Sequence, residues 1–309
     1  MIQVLSEAYA VRRLCGLLEV APSSYYYTPR GRDDLILLGW IEEVLIRFPT
    51  YGYRRVRAQL RREGHRVNHK RVRRVMRQND LLAVVKRSVK TTDSQHAYGH
   101  YPNLIADLPV THPDQVWCAD ITYIQLQREF IYLAILLDQF TRALRGWNLS
   151  RTLSSELALT ALEHALARGT PEVHHSDHGV QYAAQGYVER LEAAGVQISM
   201  AAIGQAVQNP HAERVIRTIK EEEVYLADYV DFADAYQRIG HFIEDVYQTK
   251  RVHSALNYQT PMEFEMAYWT RQGMDRPTTA GRRLVNLGQP APSLACPNEI
   301  RLAYPLYEP

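Results

Sequence analysis

The sequence predicts a mixed α/β domain preceded by a small all-α basic region. Three observations carry that expectation. Charge is polarised along the chain, three β-rich segments follow one another after residue 111, and helical and extended patterns alternate beyond them. The 309-residue chain is 46% hydrophobic and 23% charged, ordinary values for a protein with a full core. Its net charge of +2 conceals the polarity. Between Arg47 and Lys90, fifteen Lys or Arg meet only Glu63 and Asp80; from Thr111 to Thr270, twelve basic residues meet twenty-one acidic ones. One segment suits a polyanion, and another suits different chemistry.

No apolar run approaches the ~20 residues that cross a bilayer, and "MIQVLSEAYAVRRL" lacks a signal-peptide layout. The three cysteines, Cys15, Cys118 and Cys296, are scattered and odd in number, which argues against a disulfide framework or a cysteine zinc site. A reducing cytoplasm is the expected compartment.

Residues 1–46 read as an N-terminal helical segment. In it, "VRRLCGLLEVAPSSYYY" gives a short helix, a turn near Glu19 and Val20, and a second helix from about Pro22. A helical hairpin without DNA contact fits that stretch as well as a helix-turn-helix does. Residues 47–90 are the basic helix-turn-helix region. Val56 and Leu60 have helical spacing, with Arg54, Arg55, Arg57, Arg61 and Arg62 on the other sides. Gly64 ends that helix and Asn68 caps the next, where Val72, Val75 and Met76 form the stripe beside Lys70, Arg71, Arg73, Arg74 and Arg77. Charge of almost one sign fits phosphate neutralisation better than ordinary solubility, which mixes signs.

Residues 91–110 read as a linker, 111–270 as the core, and 271–309 as a Pro/Gly-rich, loosely ordered tail. Within the core, "QVWCADITYIQL", "FIYLAILLDQF" and "RALRGWNLS" predict three successive antiparallel strands. A helix over Ser154–Arg168, a strand over Glu172–Ser176, a helix over Tyr182–Ala194, the short strand "VQISM" and two longer helices follow.

Three carboxylates stand out in this frame. Asp120 lies mid-strand among apolar residues, where a carboxylate is costly unless paired or ligating a metal. Asp177 ends the fourth strand, a position where active-site groups of α/β sheets gather. Glu213 lies in a helix whose expected N-cap is Asn209 and first residue Pro210; Arg217 and Lys220 share its face at i+4 and i+7. A surface Glu–Arg pair is the bland alternative for that face. Asp138, in "LLDQF", also ends a strand, and a structural role is expected for it. Fifty-six residues separate Asp120 from Asp177, and thirty-five separate Asp177 from Glu213.

This order and spacing resembles the DDE core of retroviral-integrase-like transposases. More narrowly, the chain resembles OrfB of the IS3-family insertion-sequence transposases. "YGYRRVRAQLRREGHRVNHKRVRRVM", "VWCADITYI", "HHSDHGVQY", "NPHAERVIRTIKEE" and "YQTKRVHSALNYQTPMEFE" match the family's motifs in order, covering most of the chain. The resemblance implies an RNase H-like, retroviral integrase-type mixed sheet behind the basic helix-turn-helix region. It implies Asp120, Asp177 and Glu213 as the catalytic, metal-binding set for two Mg²⁺ ions, with Mn²⁺ as substitute. Asp120 would bridge both ions, and three acids without cysteine are the ligand set such hard ions take. Water on one metal would cut a strand at the element end, and the freed 3′-hydroxyl would attack a second phosphodiester. Arg217 and Lys220 would hold the DNA end, with Arg251 and His253 as further DNA contacts from the closing motif.

Implied partners are double-stranded DNA (terminal repeats and target), a homo-oligomer and an OrfA portion, in a bacterial, nucleoid-associated setting without a membrane. The chain departs from the family at Gln208-Asn209-Pro210, where Asp-Asn-Ala is common, and at His178, where Arg is common. A zinc reading of His174, His175 and His178 fails because an H-x-H-x-D-H pattern needs histidine at Val173. The retroviral His-His-Cys-Cys module fails too, since no cysteine pair follows His65 and His69. Two rivals remain at this level: a non-catalytic DNA-binding regulator, and an RNase H-like nuclease that cuts without joining.

Overall fold

The computed structural model describes residues 5–6, 9–26, 34–82, 101–127, 129–201 and 209–273. These form two compact units. One comprises the described residues up to 82 with Arg214–Pro261, and the other those from 101 to Glu213 and from Met262 onward.

The first unit is helical. Helices α1 (Val11–Leu17) and α2 (Pro22–Tyr25) flank a turn in which Glu19 takes φ +52°. Helix α3 (Leu35–Arg47) then buries Leu37, Ile41 and Val44 against Val56 and Leu60 of α4 (Tyr53–Arg62) and Val72, Val75 and Met76 of α5 (His69–Gln78). The expected stripes therefore face one core. Gly64 ends α4 at φ +90°, a left-handed conformation that favours a residue without Cβ. The Asn68 side chain accepts a 2.9 Å hydrogen bond from the Lys70 amide, the expected cap of α5.

Later chain joins this core. Val252 packs in the cluster, and its amide donates to the Tyr51 hydroxyl at 3.0 Å. Arg251, 8% exposed, pairs bidentately with Glu222 at 2.7 Å through each of two nitrogens, and Arg55 reaches the same carboxylate at 2.8 Å. Burial raises the Glu222 pKa, but hydrogen bonds and charge from Arg251, then Arg55, outweigh it and leave the carboxyl below its ordinary value.

The second unit is built on a five-stranded sheet in the order β3-β2-β1-β4-β5. Strands β1 (Val116–Gln125), β2 (Phe130–Asp138) and β3 (Leu144–Ser150) form the expected antiparallel meander. Strands β4 (Val173–Ser176) and β5 (Gln197–Met200) add in parallel, which crossing helices make possible. Those helices, α6 (Ser155–Leu166) and α7 (Gln185–Ala193), bury Leu157, Ala161, Leu162 and Tyr187 against Trp117, Ala119 and Ala134.

One expectation needs correction. The helix predicted from Tyr182 begins at Gln185, because Tyr182 closes a turn onto the Gly179 carbonyl and buries its ring in the core. Residues 101–110 lack helix or strand, yet Ile105, Leu108 and Val110 pack on Val116 and Cys118 rather than running free. The rest of the linker and the tail beyond Gly273 lie outside the described residues.

Asp138 has the structural role expected of it. It is fully buried, accepts from the amides of Asp114, Phe140 and Thr141, and lies 3.1 Å from Arg145. Arg145, 4% exposed, also pairs with Asp114 at 2.7 Å and with Glu265 at 3.1 Å. Glu265 belongs to the helix over Pro261–Arg271, so this guanidinium pins that helix to the end of the sheet. The sequence reading did not single it out.

Strand β3 approaches α6 so closely that a Cβ at Gly146 would lie 2.1 Å from the Ala161 carbonyl oxygen and 2.8 Å from the Ala165 Cβ. Backbone atoms cannot move aside cheaply. Gly146→Ala is therefore expected to destabilise the fold by at least about 1–3 kcal/mol, read as a lower urea midpoint at unchanged m-value.

Candidate active site

The β1–β4 pairing sets the geometry. Its parallel register matches Val116 with Val173, Trp117 with His174 and Cys118 with His175. The paired stretch ends there; Asp120 lies two residues further along β1 and Asp177 one residue past the end of β4, so both stand at the same end of this ladder. Asp120 Oδ1 accepts from the Ile121 amide at 2.8 Å, and Asp177 Oδ1 accepts from the Gly179 amide at 3.0 Å. Both residues are half-buried.

Strand alternation puts Val116, Cys118 and Asp120 on one face. That face packs on Ala212 in the first turn of α8 (Pro210–Glu222). Asn209, expected to cap this helix with its side chain, instead donates through Nδ2 to the Ala119 carbonyl at 2.8 Å. Its own carbonyl takes the capping bond, from the Glu213 amide at 3.3 Å. Asn209 is 4% exposed, so the start of α8 is tied to β1 one residue from Asp120, with Glu213 half-buried in the next turn. Arg217 is exposed and Lys220 half-buried further along the same helix.

His174 and His175 are scaffold. Tyr187 shares a 2.9 Å hydrogen bond with His174 Nε2, and burial, then His175, lowers the His174 pKa to about 3. The Ser199 hydroxyl accepts from the Leu104 amide and shares a 2.9 Å hydrogen bond with His175 Nδ1. The two rings lie buried on opposite faces of the sheet, 1% and 0% exposed, which is the wrong place for solvent-facing ligands. Among the described residues, no group of three or more His, Cys, Asp or Glu side chains is arranged to hold a metal ion.

Tyr182 is the residue that sequence reasoning missed here. Its ring is 3% exposed and its hydroxyl has no hydrogen-bond partner among the described residues. Burial, followed by the charges of Asp177 and Asp120, pushes the phenol pKa well up, so both aspartates lie within electrostatic reach of it. The motif "HGVQY" was quoted in the sequence, but a tyrosine in a turn carries no signal of where its ring goes.

The expected DNA contacts fall into two groups. Arg54, Arg57, Arg61, Lys70, Arg73 and Arg74 are exposed on the helical unit. Arg54 and Arg73, from different helices, both sit over the Tyr53 ring, at 5.4 and 5.6 Å from its centre. Arg55 and Arg251 are instead engaged with Glu222, Arg71 with Asp34 at 2.7 Å (a carboxylate that the exposed Arg74 also touches, at 2.7 Å), and His253 packs edge-on against Tyr247.

Comparison with known proteins agrees with this architecture. An HTH-like domain model matches residues 32–89, and integrase core domain models match residues 110–206 and 194–261. The fold is thus that of an integrase-core polynucleotidyl transferase behind an HTH-like module. Over 295 residues the chain is 31% identical to the transposase for insertion sequence element IS629 of Shigella sonnei, covering 89% of this chain and 98% of the relative. It is 33% identical over 228 residues to the transposase for IS904 of Lactococcus lactis subsp. lactis strain IL1403, covering 70% and 87%. The chain belongs to the IS3-family insertion-sequence transposases. The HTLV-2 integrase catalytic core domain is a distant structural neighbour, with 16% identity, coverage of 50% and 97%, and a TM-score of 0.40.

The buried histidines give the fold a pH signature. His174, with its pKa lowered to about 3, and half-buried His211, lowered to about 4 by burial and Arg142, cannot take up the protons that the unfolded chain binds below the ordinary value of 6.5. Their penalty is absent above pH 6.5 and grows as pH falls below it. Asp114, raised to about 6 by burial, works in the opposite sense, so the readout is a difference between variants. Between pH 6.5 and 5, His174→Gln is expected to flatten the loss of urea stability by up to about 1.4 kcal/mol per pH unit.

Proposed function

We propose that Asp120, Asp177 and Glu213 carry the phosphodiester chemistry of this DNA transposase. The observation supporting that reading is the parallel β1–β4 ladder, past whose paired end both half-buried aspartates lie, Asp120 in β1 and Asp177 one residue beyond β4. The Asn209–Ala119 bond fixes the start of the Glu213 helix beside the same strand. Two adjacent carboxylates repel a phosphodiester unless a cation intervenes, and their all-oxygen donor chemistry fits a hard divalent ion. Mg²⁺ would be held by Asp120 and Asp177, with Glu213 completing a second site and Mn²⁺ as substitute. When bound, such ions supply charge relief at the phosphodiester and activate an oxygen nucleophile.

The chain's own groups do the positioning. The amides of Ile121 and Gly179 each hold one oxygen of an aspartate. The exposed arginines Arg54, Arg57, Arg61, Arg73 and Arg74, with Lys70, neutralise phosphates of double-stranded DNA, and Arg217 and Lys220 follow Glu213 toward the DNA end. Arg55 and Arg251 serve by holding Glu222. The substrates are element ends and target DNA, cut and then joined through a freed 3′-hydroxyl. The working form is a homo-oligomer, with or without an OrfA portion, acting at the bacterial nucleoid. No helix among the described residues is long and apolar enough to cross a membrane.

Purified protein incubated with the gene's flanking DNA and Mg²⁺ is expected to give 3′-end nicks and joined strands. Glu213→Gln should abolish both while DNA retention persists. Nicking without joining would favour the nuclease reading, and tight binding without nicking the regulator; cleavage that persists in Glu213→Gln overturns this assignment of the site. For DNA binding, the double variant Arg54→Ala/Arg73→Ala is expected to make the slope of log affinity against log salt shallower by about 2, one unit per lost phosphate contact. An unchanged slope removes both residues from the interface.

A further inference from the structure

The Tyr182 hydroxyl is a buried donor without an acceptor among the described residues. A buried O–H without a partner is costly, and phenylalanine would fill the same volume without that cost. The ring has little freedom to find another partner, because it packs against Tyr187 and His174 at centroid distances of 5.5 and 6.1 Å. Its surroundings point to the aspartates. A Cβ built on Gly179 would lie 3.0 Å from Asp177 Oδ1 and 3.2 Å from Tyr182 Cδ2, so the carboxylate and the ring flank the same point of backbone. The negative charges felt at the phenol are those of Asp177 and Asp120.

We propose that Tyr182 is a positioning residue for the aspartate pair, its O–H held ready to donate to the Asp177 carboxylate when the site takes up a divalent cation and DNA. Asp177 Oδ1 already accepts from the Gly179 amide. A second donor from Tyr182 fixes the rotation of the carboxylate about its Cβ–Cγ bond. Outer donors of this kind orient ligating carboxylates and typically alter metal affinity or activity 10–100-fold. The inference rests on Asp120 and Asp177 being the catalytic pair.

The test is Tyr182→Phe in the full chain, with Asp177→Asn as control. Three readouts are taken: Mn²⁺ affinity without DNA, melting temperature with and without Mn²⁺, and nicking rate at saturating DNA. Tyr182→Phe is expected to keep or raise the metal-free melting temperature and to leave the KM for DNA unchanged. It should weaken Mn²⁺ binding and slow nicking by about 10-fold or more. The Mn²⁺-induced rise in melting temperature, read against each variant's own metal-free value, keeps the test valid if the variant proves less stable. Wild-type Mn²⁺ affinity and nicking in Tyr182→Phe, with Asp177→Asn inactive, overturn the tyrosine inference alone. Nicking that survives Asp177→Asn overturns the catalytic reading and this inference with it.

Discussion

The parallel ladder between β1 and β4 is the constraint on which the rest of the second unit depends. An antiparallel pair could be joined by a tight turn, but a parallel pair needs a crossover, and α6 belongs to that connection. The crossover covers one face of the sheet with Leu157, Ala161 and Leu162, and the close approach at Gly146 seats the helix on β3. With that face sealed, the ends of β1 and β4 become the place where polar groups can stand half-exposed on a rigid frame. A one-residue slip of β4 would exchange the faces taken by His174 and His175 and shift Asp177, just past the strand, along β1.

Around this ladder the charges are sorted by burial. The carboxylates that are fully buried, Asp138 and Glu265, are satisfied by Arg145 and by backbone amides. Removing that guanidinium would strand them, which is why such networks are costly to break even when they add little net stability. The carboxylates proposed for catalysis are only half-buried. The same division runs through the helical unit. Arg251 and Arg55 are committed to Glu222, whereas Arg54 and Arg73 gather on the Tyr53 ring with their charge facing outward. A basic stretch that looks uniform as text is thus two populations, one holding the fold and one open to phosphate.

The histidine-rich stretch shows how local composition can mislead. Three histidines around one aspartate look like a metal site, yet alternation along β4 sends His174 and His175 to opposite faces of the sheet. Each finds a hydroxyl, Tyr187 or Ser199, and His174 is kept neutral by burial. Asp177, one residue past the strand, escapes that fate because the chain turns there at Gly179.

The sequence by itself determined the element order, the apolar stripes of α4 and α5, the three-stranded meander and the three carboxylates with their spacing. These are local or periodic properties, written into 3.6-residue and two-residue repeats and into motif order. It also marked Asp138 as a structural acid. Only the tertiary structure decided which cations are spent inside the fold, since Arg55, Arg145 and Arg251 find partners 167, 120 and 29 residues away in sequence. Asn209 was legible as a helix start, but not as a tether to Ala119, ninety residues back. The turn that buries Tyr182 belongs here too, because where its ring goes depends on the volume left between β1 and α7. Pairings of that separation leave no periodic trace in the chain; packing and desolvation choose them once the sheet has formed.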